Sequence, residues 1–167
     1  LRTYGDNLRR FIDQDERIDA TWIPVTYEMP GGVWERLRFL PAGLRATMRA
    51  RSQVRGGLAA TAPDVSFYLT QVPAVLGGRR TRHSSFVIMA DDTPALFRAM
   101  ADHYEIHKRT ARLVARLKHR ANVQTFHAAA CTIAMSNWGR DSLVNDYGVP
   151  PERVVVVADG VDLERWH

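Results

Sequence analysis

Several features are scarce or missing in this sequence, and each narrows the kind of protein it encodes. A single cysteine, Cys131, excludes an internal disulfide and is typical of a protein from a reducing cytoplasm. No run of about 18 apolar residues occurs, which excludes a membrane-spanning helix. The first ten residues contain no apolar signal segment. The sequence therefore predicts a cytoplasmic protein, either free in solution or peripheral to the inner face of the membrane.

Common catalytic and cofactor motifs are also missing. The chain has no G-x-G-x-x-G after a strand, no G-x-x-x-x-G-K-[ST] and no G-x-S-x-G, which argues against a dinucleotide-binding dehydrogenase, a P-loop protein and an α/β-hydrolase. His103 and His107 are spaced to share one face of a helix, but Glu105 lies between them in the wrong order for a zinc protease. Because no third ligand accompanies them, we expect no metal site.

The positive charge of the chain comes mostly from arginine. The formal net charge is +5, and Lys108 and Lys118 are the only lysines. A basic balance favours an anionic partner such as a nucleotide or a phospholipid surface. Nucleic acid is not favoured, because no aromatic residues interleave the charges. The segment 108–120 predicts an amphipathic helix that packs Leu113, Val114 and Leu117 on the sheet. Its charged outer face is then either solvated or in contact with anionic lipid.

Strands and helices alternate along the chain. This order predicts an α/β fold, a Rossmann-like and mainly parallel sheet with helices on both faces. Glycines at 56–57 are expected to end the second helix. The expected helices span 5–14, 42–57, 103–130 and 138–148, and the expected strands span 18–27, 63–71, 83–92, 131–136 and 152–159.

Four of these strands, at 63–71, 83–92, 131–136 and 152–159, are apolar in their body and become polar where they end. In an open α/β sheet the ligand crevice lies outside the carboxyl ends of the strands, so these polar residues are candidate site residues. The alternative is that they mark only where the chain meets water. The candidates are Thr70, Gln71, Asp91, Asp92, Thr93, Ser136 and Asn137.

The last strand contains four consecutive valines, 154–157, followed by Asp159-Gly160. Four β-branched apolar residues in a row predict a strand that is covered on both faces. The Asp-Gly pair predicts a tight turn immediately after it.

The stretch 131–166 closely resembles the end of the N-terminal domain of family 4 glycosyltransferases, bacterial enzymes with two Rossmann-like domains (the GT-B fold). The resemblance rests on Ser136, Trp138, Tyr147-Gly148-Val149-Pro150, Arg153-Val154 and Asp159-Gly160-Val161-Asp162, where Asp159 replaces the usual Asn. Both residue types support the same local turn. Weaker similarity at 6–10, 68–76 and 89–97 extends the resemblance along most of the chain.

The resemblance implies sugar transfer from a nucleoside diphosphate sugar to a sugar or lipid-linked acceptor, with retention at the anomeric carbon and without a metal. It also implies that residues 1–167 are one N-terminal, acceptor-side domain. This domain would end at an interdomain linker near 160–167 that includes Asp159, Gly160, Val161 and Asp162. The donor-binding domain would be absent, and the isolated chain inactive.

The resemblance places Asp91 beside the reacting sugar, with Asp92 as the second candidate. An alternative for Asp92 is the N-cap of a helix that starts at Pro94. A second function from another class also stays open, namely a non-catalytic α/β module that docks on an anionic membrane or an acidic partner.

Overall fold

The computed structural model describes residues 2–27, 32–37, 39–75, 85–100 and 112–160. These residues belong to two units, one formed by Leu1–Asp64 with Val72–Ser84 and the other by Val65–Gln71 with Ser85–His167. The described part of the first unit contains helices and irregular segments but no strand, and the second unit holds the sheet.

The described part of the first unit contains three helices: α1 (Arg2–Ile12), α2 (Val33–Arg36) and α3 (Ala42–Thr61). The prediction that α3 ends at its glycine pair is wrong, because the helix continues for four further residues. It ends at Ala62, which adopts the left-handed conformation (φ 43°) and donates its N–H to the Leu58 carbonyl oxygen. Gly57 is explained by packing and not by the end of the helix. A Cβ atom there would lie 2.5 Å from Ile23 Cδ1, so the glycine permits a close approach.

The predicted strand at 18–27 is not a strand in the structure. The side chain of Gln53 on α3 bonds this segment where a neighbouring strand would otherwise do so. Thr26 donates its N–H to Gln53 Oε1 at 2.9 Å, and Gln53 Nε2 donates to the Thr26 carbonyl oxygen at 3.1 Å. Pro24 in the same segment has no N–H to give to a ladder.

The second unit is built on a four-stranded, all-parallel sheet: β1 (Val65–Tyr68), β2 (Ser85–Ala90), β3 (Cys131–Ala134) and β4 (Val154–Val156). The strands lie side by side in chain order. The register pairs Tyr68 with Ile88, and Ile88 with Thr132. This arrangement confirms the predicted α/β fold with a parallel sheet.

Helices connect these strands, and a buried core holds them in place. Helices α4 (Pro94–Ala99) and α5 (Arg112–Ala128) link β2 to β3. Helix α6 (Asn137–Asn145) and a short 3₁₀ turn (Pro151–Arg153) link β3 to β4. The largest fully buried side chains include those of Phe126, Ile88, Met89 and Leu143. Helix α6 corresponds to the predicted helix at 138–148, and α5 lies within the one predicted at 103–130, of which 103–111 lie outside the described residues. Helix α4 was predicted only as an alternative role for Asp92.

The prediction that both faces of the valine strand are covered is wrong. Val154 is buried, but Val155, Val156 and Val157 are 48%, 38% and 50% exposed. Strand β4 is the last strand of the described sheet and pairs with β3 alone. The run of valines therefore reflects the preference of β-branched residues for extended backbone, and not burial on both faces.

The apolar side of α5 also differs from its prediction. Leu113, Val114 and Leu117 do not pack on the sheet, because they are 68%, 42% and 59% exposed. The residues of α5 that are buried lie near its carboxyl end, at Thr125 and Phe126. The first turns of this helix thus present apolar side chains to solvent.

Candidate functional site

The carboxyl ends of β1, β2 and β3 lie at one edge of the sheet. The register aligns Ala90 of β2 with Ala134 of β3, and Met135 donates its N–H to the Ala90 carbonyl oxygen at 3.2 Å. Because the strands are parallel, the segments that follow them leave the sheet at this same edge. The structure therefore brings the segments 69–71, 91–93 and 135–137 to one end of the sheet, as the sequence predicted.

Asp91 is the first residue after β2, and its side chain is exposed. Its carboxylate oxygen Oδ1 accepts the backbone N–H of Asp92 at 2.8 Å. The backbone of Asp91 is covered by the start of α6, since a Cβ atom on Gly139 would lie 3.7 Å from the Asp91 carbonyl oxygen. The main chain is thus held in place while the other carboxylate oxygen is open to a bound molecule.

Asp92 is half-buried, and its surroundings favour the protonated form of its carboxyl group. Burial raises the pKa of Asp92 above its ordinary value of 3.8, and the adjacent Asp91 carboxylate raises it further. The two carboxyl groups are therefore not equivalent. Asp91 is exposed to solvent, whereas Asp92 is half-buried and has a raised pKa.

Thr93, and not Asp92, is the N-cap of α4. Its hydroxyl oxygen accepts the N–H of Leu96 at 3.2 Å, and Pro94 occupies the first position of the helix. The expectation that Asp92 caps this helix is therefore wrong. Thr93 is also fully buried in this structure, and acceptor binding by its side chain stays a prediction.

The hydroxyl of Thr93 begins a chain of hydrogen bonds into α6. Ser142 Oγ donates to Asp146 Oδ2 at 2.6 Å, and Thr93 Oγ1 lies 2.6 Å from Ser142 Oγ. A hydroxyl has one hydrogen, so Ser142 gives its hydrogen to the carboxylate and must accept from Thr93. The directions are thus fixed from the Leu96 N–H to the Asp146 carboxylate. This chain secures the segment that carries Asp91.

Tyr147 holds the same segment from a second side. Its phenolic oxygen accepts the Ala95 N–H at 3.0 Å, and its ring packs edge-on against Phe126 with centroids 5.1 Å apart. His127 Nε2 lies 2.9 Å from the Tyr147 carbonyl oxygen, to which it donates. Burial raises the pKa of Tyr147, so the phenol stays neutral. Together these contacts fix the start of α4.

The polar residues after β3 are placed as the sequence predicted, at the start of α6. Ser136 is the N-cap, and its hydroxyl oxygen accepts the Gly139 N–H at 3.0 Å. Asn137 is exposed beside it. After β1, Thr70 is half-buried and donates its hydroxyl hydrogen to Gln71 Oε1 at 3.2 Å, while Gln71 is largely buried. Asn137 and Asp91 are thus the most accessible side chains among the seven candidates.

Two further expectations concern the end of the chain and metal binding. Asp159 and Gly160 are exposed and lie in no helix or strand, and Val161 and Asp162 lie outside the described residues. His103 and His107 lie outside them as well. Among the residues with described positions, no three His, Cys, Asp or Glu side chains cluster as a metal site would require. None of the described helices is both long and apolar enough to cross a bilayer.

Sequence reasoning missed Ser142 and Tyr147 as supports of this site. Tyr147 was noticed only as part of a motif, and Ser142 lies in the middle of a helix, where a serine carries no signal of its own. The proline at the first position of α4 was a usable signal, since it makes the residue immediately before it, Thr93, the N-cap.

Comparison with protein-family models gives one match. The model described as Glycosyltransferase Family 4 covers residues 13–165, which is nearly the whole chain and includes every segment of the candidate site. No curated protein matches the chain. The parallel α/β sheet agrees with this assignment. The chain belongs to glycosyltransferase family 4.

Proposed function

We propose that this chain is the acceptor-side half of a retaining enzyme that transfers a sugar from a nucleoside diphosphate sugar to an acceptor. Family membership supports glycosyl transfer, and the open carboxyl edge of the sheet supports a binding site there. The observation that carries the proposal is the exposed carboxylate of Asp91 at the end of the otherwise buried strand β2.

Asp91 is proposed to contact the acceptor or the reacting sugar. A positioned carboxylate can orient an acceptor hydroxyl and receive its proton as the new glycosidic bond forms. The fixed main chain around Asp91 supports this role, because a rigid segment holds a reacting group in place before the substrate arrives. Asn137, Ser136, Thr70 and Gln71 are proposed as further acceptor contacts at the same edge.

Asp92 is the second candidate for chemistry. Its raised pKa suits a group that holds a proton, and its half-buried position leaves it less accessible than Asp91. We propose that a donor-side domain completes the cleft, and that backbone amides and basic side chains there stabilise the leaving diphosphate without a metal. The single cysteine supports a cytoplasmic location.

The test uses the enzyme that contains this chain together with its donor-side domain. It is incubated with UDP-, GDP- and ADP-sugars and a panel of sugar and lipid-linked acceptors, and nucleoside diphosphate release is followed. Nuclear magnetic resonance then reads the anomeric configuration of the product. We expect acceptor-dependent release with the configuration retained. Inversion would contradict the mechanism, and release without any glycosylated product would contradict the transfer.

The 167-residue chain alone serves as the control. Because half of the proposed cleft is absent, it should give no diphosphate release above a buffer blank. Turnover by the isolated chain would contradict the proposed division into acceptor and donor halves.

A further inference from the structure

The first turns of α5 combine positive charge with exposed leucines. Across its whole length, Arg112–Ala128, the helix contains no acidic residue. Leu113 and Leu117 are 68% and 59% exposed, and Arg116 and Arg120 between and after them are exposed too. Two exposed leucines are unfavourable on a helix face that contacts only water, since each exposed apolar side chain orders water around it.

These four residues lie on one face of the helix. Leu113, Arg116, Leu117 and Arg120 are spaced i, i+3, i+4 and i+7, which aligns them along a single stripe, here named the α5 outer face. The opposite side of the helix is held by the protein itself. The His119 ring lies 5.1 Å from the Tyr147 ring, and Phe126 is buried. The outer face is therefore directed away from the unit that anchors the helix.

We propose that the α5 outer face docks on a bilayer surface rich in anionic phospholipid. The arginines match the negative headgroups, and the leucines enter the boundary between headgroups and acyl chains. The long apolar stems of Arg116 and Arg120 can lie beside the leucines while the guanidinium groups remain at headgroup level. This inference rests on α5 alone and is independent of the proposed sugar transfer.

A lipid surface explains this face better than nucleic acid does. Phosphate contacts would use the arginines but leave both leucines in water, and the outer face carries no aromatic side chain on which a base could stack. An anionic bilayer satisfies both kinds of side chain at once. The positive net charge of the chain, +5, adds a long-range attraction to the negatively charged bilayer surface.

The experiment measures sedimentation of the chain with vesicles at physiological salt. One vesicle is pure phosphatidylcholine, and the other contains roughly one-third phosphatidylglycerol as a stated anionic lipid. We expect binding to the anionic vesicles and little to the neutral ones. Equal binding to both, or binding to neither, would overturn the proposal.

Two double variants separate the apolar and the charged contributions. Leu113→Gln/Leu117→Gln keeps helix propensity and should weaken binding at least about tenfold. Arg116→Gln/Arg120→Gln should weaken it about fivefold for each charge lost. The matched control is Arg51→Gln/Arg55→Gln on α3, which removes the same charge elsewhere and should change binding less than about twofold.

If the control loses as much binding as the arginine variant, binding depends on the overall charge of the chain and not on α5. That result would overturn the proposal. Light scattering and circular dichroism are recorded for every chain. If the leucine variant loses self-association but keeps full vesicle binding, the face joins two copies of the chain, which also overturns the proposal. Should the double leucine variant fail to fold, Leu113→Gln alone is used, since Leu113 is the more exposed of the two.

Discussion

The segment 18–27 and strand β2 are both predicted as strands from the sequence but have different structures. Strand β2 has parallel neighbours on both sides, and their backbone groups bond it along its length. The segment 18–27 has no such neighbour among the described residues, and the amide of Gln53 bonds it at Thr26 alone. Both stretches carry apolar side chains, yet of the two only β2 is part of a sheet.

This difference shows that a sequence pattern describes the chain, whereas a strand also requires a partner. It also has an energetic consequence. In the sheet region, side-chain hydrogen bonds such as those of Thr93 and Tyr147 are buried and reinforce a ladder that already exists. In the N-terminal region, side-chain bonds from α3 are the attachment itself: Gln53 bonds the Thr26 backbone, and Arg49 Nη1 donates to the Tyr27 carbonyl oxygen at 2.9 Å. The predictions below test this contrast.

The largest stability effect is expected at Thr93. Thr93→Val keeps the shape of the side chain but removes the helix cap and the donor to Ser142, both of which are buried. We expect a loss of about 2 kcal/mol in the free energy of unfolding. Urea denaturation measures it. Ser136→Ala, which removes one less buried cap, should cost about half as much. Equal losses would show that burial of the Thr93 chain adds nothing.

Two tyrosines in the same unit give a matched pair. Tyr147→Phe leaves the Ala95 N–H without its acceptor and should cost about 1.5 kcal/mol. The Tyr68 hydroxyl is buried and has no hydrogen-bond partner among the described residues, so Tyr68→Phe should be neutral or slightly stabilising. Thermal denaturation compares the two. A larger loss from Tyr68→Phe than from Tyr147→Phe would contradict the assigned contacts.

Burial also raises the pKa of Tyr68 to about 12, from an ordinary value of 10.0. The unfolded chain then loses its tyrosine proton first, so the parent should lose stability as pH rises from 10 towards 12. Tyr68→Phe should remove that part of the decline.

Gln53 tests the N-terminal region with a smaller expected effect. Gln53→Ala removes both bonds to the Thr26 backbone, and we expect a loss of about 1 kcal/mol or less, because these bonds are exposed. Hydrogen exchange at the Thr26 amide is the direct measurement, and it should become about fivefold faster. The amides of β2 should not change. Faster exchange in β2 would show that the two regions unfold together.

The smallest effect concerns Asp92 and its dependence on pH. Because its pKa is raised above 3.8, the folded chain holds this proton longer than the unfolded chain, and stability falls as pH rises from that value through the raised pKa. Asp92→Asn removes this loss. We expect the variant and the parent to be equally stable at low pH, and the variant to become the more stable one as pH rises. A difference that is constant with pH would contradict the raised pKa.

Much of the second unit could be predicted from the sequence because its signals are local. Short apolar runs bounded by polar residues gave the positions of β1, β2 and β3, and the polar residues after them gave the edge where Asp91 lies. Parallel pairing followed from the alternation of strands and helices. None of these inferences required knowledge of which side chain contacts which.

The errors concern properties that depend on distant contacts. The glycine pair in α3 resembled a helix end, but Gly57 is small because Ile23 lies against it. The valine run indicated burial, but β4 has one neighbouring strand in the described sheet. Leu113 and Leu117 indicated packing on the sheet, but the helix is rotated so that its buried side includes Phe126. The valine and leucine patterns were correct about local conformation, the glycine pair was not, and none of the three indicated which residues lie in contact.

The measurement that most directly tests the account is the turnover of Asp91→Asn in the proposed enzyme of acceptor-side and donor-side domains. Asparagine keeps an oxygen that can accept the Asp92 N–H, so the melting temperature should stay within about 2 °C of the parent. The turnover number should fall roughly a hundredfold, since a positioned carboxylate is lost from the transition state. Asp92→Asn, at the second candidate, is measured beside it and should lose less turnover than Asp91→Asn. A folded Asp91→Asn enzyme with full turnover would contradict the assignment of this strand end to the site.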